Sequence, residues 1–166
     1  MALNKGIGNI SCSILPNSVR ARLSGNLSYT PVTPISSTAG SEGWVYVETP
    51  ATSSSTNLIT TSHDYFGTSI AVANDDLVRW ICVEHTGTTD GFTKTTEGIV
   101  IGLNVAAAFD TPGMIFLAPG EIISLKVPLT EVHEIFFRTC NSGDVPVANG
   151  TGNVQLRIAA ICRNVA

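Results

Sequence analysis

From Trp44 to the C-terminus, apolar residues arrive in short runs separated by Gly, Pro, Asn, Asp, Ser and Thr. In "NVQLRIAAICR" (153–163), Val154, Leu156, Ile158, Ala160 and Cys162 share one face and Gln155, Arg157 and Arg163 the other. That period of two is the half-buried pattern of a strand in an antiparallel sheet. "LVRWICVEH" (77–85) is rich in residues that favour a pleated surface, and turn residues bound it on both sides. "GIVIGLNVAAAF" (98–109) places Ile99, Ile101, Leu103 and Val105 at alternate positions, which predicts one core face.

The remaining runs are shorter. "WVYVE" (44–48), a weak run around Leu58 to Thr61, and "TSIAVA" (68–73) ending at "NDD" read as further strands. "GMIFLAPGE" and "EIISLKV" meet at a Pro-Gly turn, which predicts a β-hairpin. The β-branched and aromatic content of "EVHEIFFRTC" (131–140) favours a strand over a short helix, and "NVAAAFDTP" has room for one helical turn. Eight or nine short strands without a long helix predict an all-β fold: an antiparallel β-sandwich of about eight strands, with a jelly roll among the topologies allowed at this length. Trp80, Phe109, Phe116 and Phe136 are expected in its core.

The first 42 residues follow a different grammar. They are rich in Gly, Asn, Ser, Thr and Pro, and Pro31 and Pro34 interrupt regular pairing. Residues 1–42 therefore read as an irregular N-terminal arm and 43–166 as the sandwich domain. Leu27, Tyr29, Val32 and Ile35 are apolar side chains within the polar arm, suited to a groove on a partner or to folding back on their own sandwich.

With 166 residues the chain has enough length for one core. Only 13% of its residues are charged, about half the usual share, so Thr, Ser, Asn and backbone must form much of the surface. A formal charge of −4 with scattered Lys and Arg gives no basic field and argues against direct nucleic-acid binding. No apolar stretch is long enough to span a membrane, and Gly and Asn interrupt the start where a signal peptide needs continuity. Synthesis in the cytoplasm without membrane association is the expectation. Cys12, Cys82, Cys140 and Cys162 form no CxxC motif and read as buried thiols, with Cys82–Cys162 or Cys140–Cys162 bridges allowed if the strands adjoin.

A search for chemistry finds little. His63, His85 and His133 are isolated and lack metal-ligand spacing. Asp75, Asp76, Asp90, Glu97, Asp110 and Asp144 sit at turns, where carboxylates cap backbone N–H groups. No GxSxG or phosphate loop is present. Neither an enzyme nor a cofactor is expected. Trp44, Tyr46 and Trp80 in strands, with Tyr29 and Tyr65 in loops as surface anchors, leave a glycan-binding module as an alternative.

"RWICVEHTGTTDGFTKTTEGIVIGLN" (79–104) and "GMIFLAPGEIISLKV" (113–127) resemble small capsid decoration (auxiliary head) proteins of tailed bacteriophages. The resemblance implies a virion protein that binds the outside of an assembled capsid and stabilises the shell, often as a homotrimer, with the major capsid protein or other virion subunits as partners. Minor capsid, tail or fibre subunits are the related alternatives. The arm residues Leu27, Tyr29, Val32 and Ile35 and the loop residues His85, Thr88, Asp90 and Phe92 are the candidate partner contacts. Phe92, an aromatic in a polar tip, is expected either tucked under the loop or buried by a partner.

Overall fold

A computed structural model describes residues 6–12, 23–29, 31, 33–57, 59, 63–104, 114–127, 130–141 and 150–165, the first two segments as backbone only. Val32, Leu58, Phe109, Asp110, Asp144 and most of "NVAAAFDTP" lie outside them, as do the side chains of Cys12, Leu27 and Tyr29. Gly6–Cys12 (β1) and Leu23–Tyr29 (β2) form an antiparallel two-stranded sheet of their own. The lead-in is thus partly regular. Its Gly, Asn and Ser lack strand propensity, but ladder pairing uses main-chain groups that every non-proline residue carries.

Nine further strands build two antiparallel sheets. Glu42–Ala51 (β3), Leu77–His85 (β5), Ile122–Leu125 (β8), Thr130–Glu131 (β9) and Val154–Arg163 (β11) form one, in the order β3-β11-β5-β8 with β9 also on β5. Thr56–Asn57 (β4), Gly98–Leu103 (β6), Ile115–Leu117 (β7) and Ile135–Cys140 (β10) form the other, in the order β4-β10-β6-β7. Without β9, the chain ranks of the strands read 1-8-3-6 in one sheet and 2-7-4-5 in the other. The sandwich expectation is met, and successive strands repeatedly change sheets.

The core follows from alternation. Val154, Leu156, Ile158, Ala160 and Cys162 of β11 are buried, as are Val45 and Val47 of β3 and Ile135 and Phe137 of β10. On β5 the parity changes once. Val78 pairs with Cys162 and Trp80 with Ile161, so Arg79 is the extra residue of a β-bulge. Before the bulge Val78 faces the core; after it Ile81, Val83 and His85 do, and Trp80 turns outward to meet Trp44 edge to face, with centroids 5.5 Å apart.

Four expectations change. The "TSIAVA" run (68–73) forms no strand, and only Ala71 makes an isolated bridge, to Asp64. β7 and β8 do not pair as a hairpin: β7 joins β6 and β8 joins β5. The Pro119-Gly120 turn exists, with the Glu121 N–H donating to the Ala118 carbonyl at 3.1 Å and Gly120 at φ 84°, but it turns a corner between sheets. Phe116 and Phe136 are half-buried, and the core aromatic is Phe137. Phe136 pairs with Gly102, and Phe116 lies over Gly98, where its ring would stand 2.5 Å from an added Cβ; both aromatics cover glycines, which have no side chain to protect the strand. The start of "EVHEIFFRTC" is a 3₁₀ turn, Val132–Glu134, closed by a reciprocal capping box between Glu131 and Glu134.

Candidate functional site

The segment 86–97 leaves β5 in one sheet and enters β6 in the other, at the end of the sandwich where the Ala118–Glu121 corner and the start of β11 also lie. His85 forms its foundation. The ring is fully buried; Nε2 is 2.8 Å from the Glu97 carbonyl, and Nδ1 accepts the Gly87 N–H at 3.0 Å. A carbonyl only accepts and an amide N–H only donates, so these partners select the neutral tautomer with hydrogen on Nε2. Burial holds its pKa below the ordinary value of 6.5. The His85 backbone meanwhile exchanges bonds with Glu121 and Gly120, fastening the corner to the loop.

The next layer comes from threonines and one carboxylate. Thr86 donates N–H and Oγ1 to the Gln155 carbonyl at 3.2 and 2.8 Å, and the Gln155 N–H donates to the Thr88 carbonyl at 2.8 Å. Glu97 Oε1 accepts the N–H groups of Thr151 and Gly152 at 3.1 and 3.3 Å. The loop is therefore tied to β5, β6, β11 and the segment before β11.

Its tip is a small hairpin. Thr88 bridges to Lys94, and the Thr89 N–H donates to the Thr93 carbonyl at 2.8 Å. Gly91 stands at φ 92°, a conformation that costs residues with a Cβ, and its N–H donates to Thr88 Oγ1 at 3.0 Å. Asp90 Oδ1 accepts the N–H groups of Phe92 and Thr93 at 2.9 and 2.7 Å, and these bonds hold its carboxyl below the usual 3.8. Phe92, held by this turn, is 91% exposed.

Of the loop candidates, Thr88 and Asp90 shape the tip, Phe92 projects from it, and His85 braces it from inside. Gly87 and Gln155 carry no sequence signal as parts of this site, and Glu97, expected as a carboxylate that caps backbone N–H groups at a turn, does so on Thr151 and Gly152. Alternation along Ile81, Val83 and His85 is the sequence signal that places the histidine inward; the bonds to Gln155, 69 residues away, leave no local signal. The arm candidate Ile35 packs against the sandwich core. The loop and Ile35 sit on separate elements.

The other chemical candidates stay apart. The His133 ring lies 2.9 Å from the Asn74 carbonyl and 3.2 Å from Glu131, and the His63 carbonyl accepts the Val72 N–H. Among the described residues no three His, Cys, Asp or Glu side chains gather as metal ligands. Cys82, Cys140 and Cys162 are free thiols; Cys162 faces the core and Cys82 lies on the opposite parity of its sheet. A depression of about 340 Å³ beside Gly40 and Leu77 presents Arg163 and no carboxylate or histidine. Tyr65, considered above as a surface anchor, is buried, with its hydroxyl donating to Asp76 Oδ2 at 2.8 Å. Among the described residues no helix is long and apolar enough to cross a membrane.

No family model and no curated protein matches the chain. It has a weak structural similarity to a phage capsid protein. The similarity is to a chain of the Cyanophage Pam1 capsid asymmetric unit, at 15% identity over 92% of this chain and 99% of that one, with a TM-score of 0.31.

Proposed function

We propose that this protein is a virion structural subunit, a decoration or cement protein that binds the outside of a phage capsid and stabilises the shell. The observation that carries the reading is Phe92: a large apolar side chain almost wholly in solvent, on a tip pinned by internal hydrogen bonds. A rigid exposed aromatic loses little conformational entropy when a partner covers it, which is the property of an interface anchor. The Thr and Gly surface around it has few charges to desolvate.

Three further points support this reading. The interleaved strand order is read as a jelly roll, an architecture found in viral capsid domains as well as lectins and cupins. A cupin-type centre needs converging metal ligands, and the described residues offer none. A glycan platform on Trp44 or Trp80 loses support because Trp80 is buried and stacked edge-on with Trp44. The segments at 79–104 and 113–127 carry the resemblance to decoration proteins. In this reading the sandwich docks through the 86–97 loop on the major capsid protein, residues 1–42 extend over a neighbouring subunit through Leu27, Tyr29 and Val32, and copies associate as a homotrimer.

The test mixes purified protein with empty shells assembled from the major capsid protein of the same phage. Saturable binding is expected, and Phe92→Ser should weaken it roughly thirtyfold, the effect of a hot spot worth about 2 kcal/mol, without moving the unfolding midpoint. Absence of saturable binding by the native protein overturns the decoration role. Binding confined to tail or fibre components would assign the protein to those instead.

A further inference from the structure

β1 and β2 stand apart from the sandwich. They pair with each other from Gly6 opposite Tyr29 to Cys12 opposite Leu23, and among the described residues no other strand joins their sheet. Residues paired across an antiparallel ladder share a face, and the faces alternate along it. One face of this ribbon is thus made of Gly6 with Tyr29, Gly8 with Leu27, Ile10 with Gly25 and Cys12 with Leu23. The other is made of Ile7 with Ser28, Asn9 with Asn26 and Ser11 with Ser24. Every non-glycine residue of the first face is apolar. A glycine lies opposite each of Ile10, Leu27 and Tyr29, so no cross-strand side chain shields them. A two-stranded ribbon alone is marginal in water and needs a third strand or a packed face to persist.

The sandwich carries an apolar patch on its flank. Phe66 is 68% exposed and joins β3 through its N–H bond to the Trp44 carbonyl at 2.6 Å. Tyr46, on the next outward position of the strand, is 50% exposed, and Pro50 beyond it is exposed as well. Shell docking through Phe92 uses the end of the sandwich and does not involve this flank.

The connection between ribbon and sandwich argues against their meeting within one copy. Pro34 bridges Glu42 in parallel, the Glu42 N–H donates to the Thr33 carbonyl at 2.8 Å, and Ile35 stands against Gly43. Residues 33–35 therefore advance in the direction of β3. Traced backward, the chain leaves past the start of that strand, away from Tyr46 and Pro50. The tether from Tyr29 to Thr33 spans at most about 14 Å, and the ribbon is about 23 Å long. To reach its own Phe66, the ribbon would have to double back over 33–35, which already occupy that side of β3 at Glu42.

We infer that the apolar face of the β1–β2 ribbon of one copy covers the Phe66 and Tyr46 patch of the next copy. The inference rests on the homotrimer of the preceding reading and supplies its contact. Ribbon and patch are different surfaces, so the contact runs head to tail and closes as a ring of three, each copy giving one ribbon and receiving one. The ribbon lies over the patch without adding a strand to β3, so the Phe66 bond to Trp44 stays in place.

The test uses the purified full chain. Sedimentation equilibrium should give the mass of three copies, and the β1 and β2 amides should exchange more slowly as concentration rises. Phe66→Ser and Leu27→Asp should each weaken association roughly tenfold or more while the sandwich amides stay protected. Mixing the two variants tests the pairing itself. The intact ribbon of the Phe66→Ser chain fits the intact patch of the Leu27→Asp chain, so a pair with one of each should form at a concentration where neither variant associates alone. A native chain that stays monomeric or stops at two copies overturns the inference, whether or not its ribbon amides are protected. So does a mixture that forms no pair, or a trimer that survives both substitutions, which leaves the homotrimer standing on another contact. Shell binding through Phe92 is measured separately, so the decoration role stands or falls on its own result.

Discussion

Asp76 offers the sharpest test of how the end of the sandwich opposite the 86–97 loop is held. Its carboxylate, 1% exposed, accepts the Tyr65 hydroxyl and the Ala73 N–H on Oδ2, each at 2.8 Å, and the Val165 N–H on Oδ1 at 3.2 Å. It therefore joins the loop before β5, the turn into β5 and the segment after β11. Asp76→Ala strands three donors at once. Hydrogen bonds to a charged group contribute about 1.5–3 kcal/mol each, but linked bonds do not add in full, and loss of a buried charged partner usually costs about 3–5 kcal/mol. Taking about 4 kcal/mol, and about 2–4 °C per kcal/mol for a domain of this size, the unfolding midpoint should fall by about 8–16 °C. Calorimetry together with urea unfolding measures it. Tyr65→Phe alone should cost about 1.5–3 kcal/mol and almost nothing further in the Asp76→Ala background. A loss below about 1 kcal/mol for Asp76→Ala, or full additivity of the two changes, would refute the network.

Other outcomes follow from the loop and the thiols. Burial lowers the His85 pKa, so the unfolded chain takes up the proton more readily; the stability contributed by His85 is complete above about pH 6.5 and is lost as pH falls through the lower folded value. His85→Gln should flatten the dependence of the unfolding midpoint between about pH 7 and 5, and an unchanged slope would remove His85 as its source. Gly150→Ala would set a Cβ 2.0 Å from Glu97 Oε2 and 2.6 Å from Thr139 Oγ1, and should destabilise by about 1–3 kcal/mol as an overpacked site, read by urea titration. Burial pushes the Cys140 thiol up to about 11 and the Cys162 thiol higher still, so neither should react with a thiol reagent at neutral pH until the chain unfolds, as stopped reactions with and without denaturant would show.

Much of the sandwich was legible because burial imposes a period of two. β11 and β5 announce themselves by alternation, and the Arg79 bulge is the one point where local pattern and observed parity part. Sheet membership was less visible. Pro119-Gly120 encodes a reversal of direction, and the same turn serves a hairpin or a corner between layers. Which of Phe136 and Phe137 enters the core depends on where the 3₁₀ turn ends and the strand begins, a one-residue matter of phase. At the candidate site, the Thr, Gly and Asp composition of 86–97 suggested a turn-rich tip, but its attachment to Gln155, Thr151 and Gly152 is long-range. Tyr65 shows the same limit: "TSHDYFG" is polar enough to read as surface, and the carboxylate that receives its hydroxyl lies in a separate turn.

The change of sheet across the 86–97 loop has a mechanical consequence. β5 is flanked by β11 and β8, and β6 by β10 and β7. A pull on the tip along the strands therefore divides between two interior strands, one in each layer. Each strand is loaded parallel to its neighbours, so its ladder bonds resist together in shear rather than opening one after another. A tether placed on this loop would pass tension into both layers of the domain.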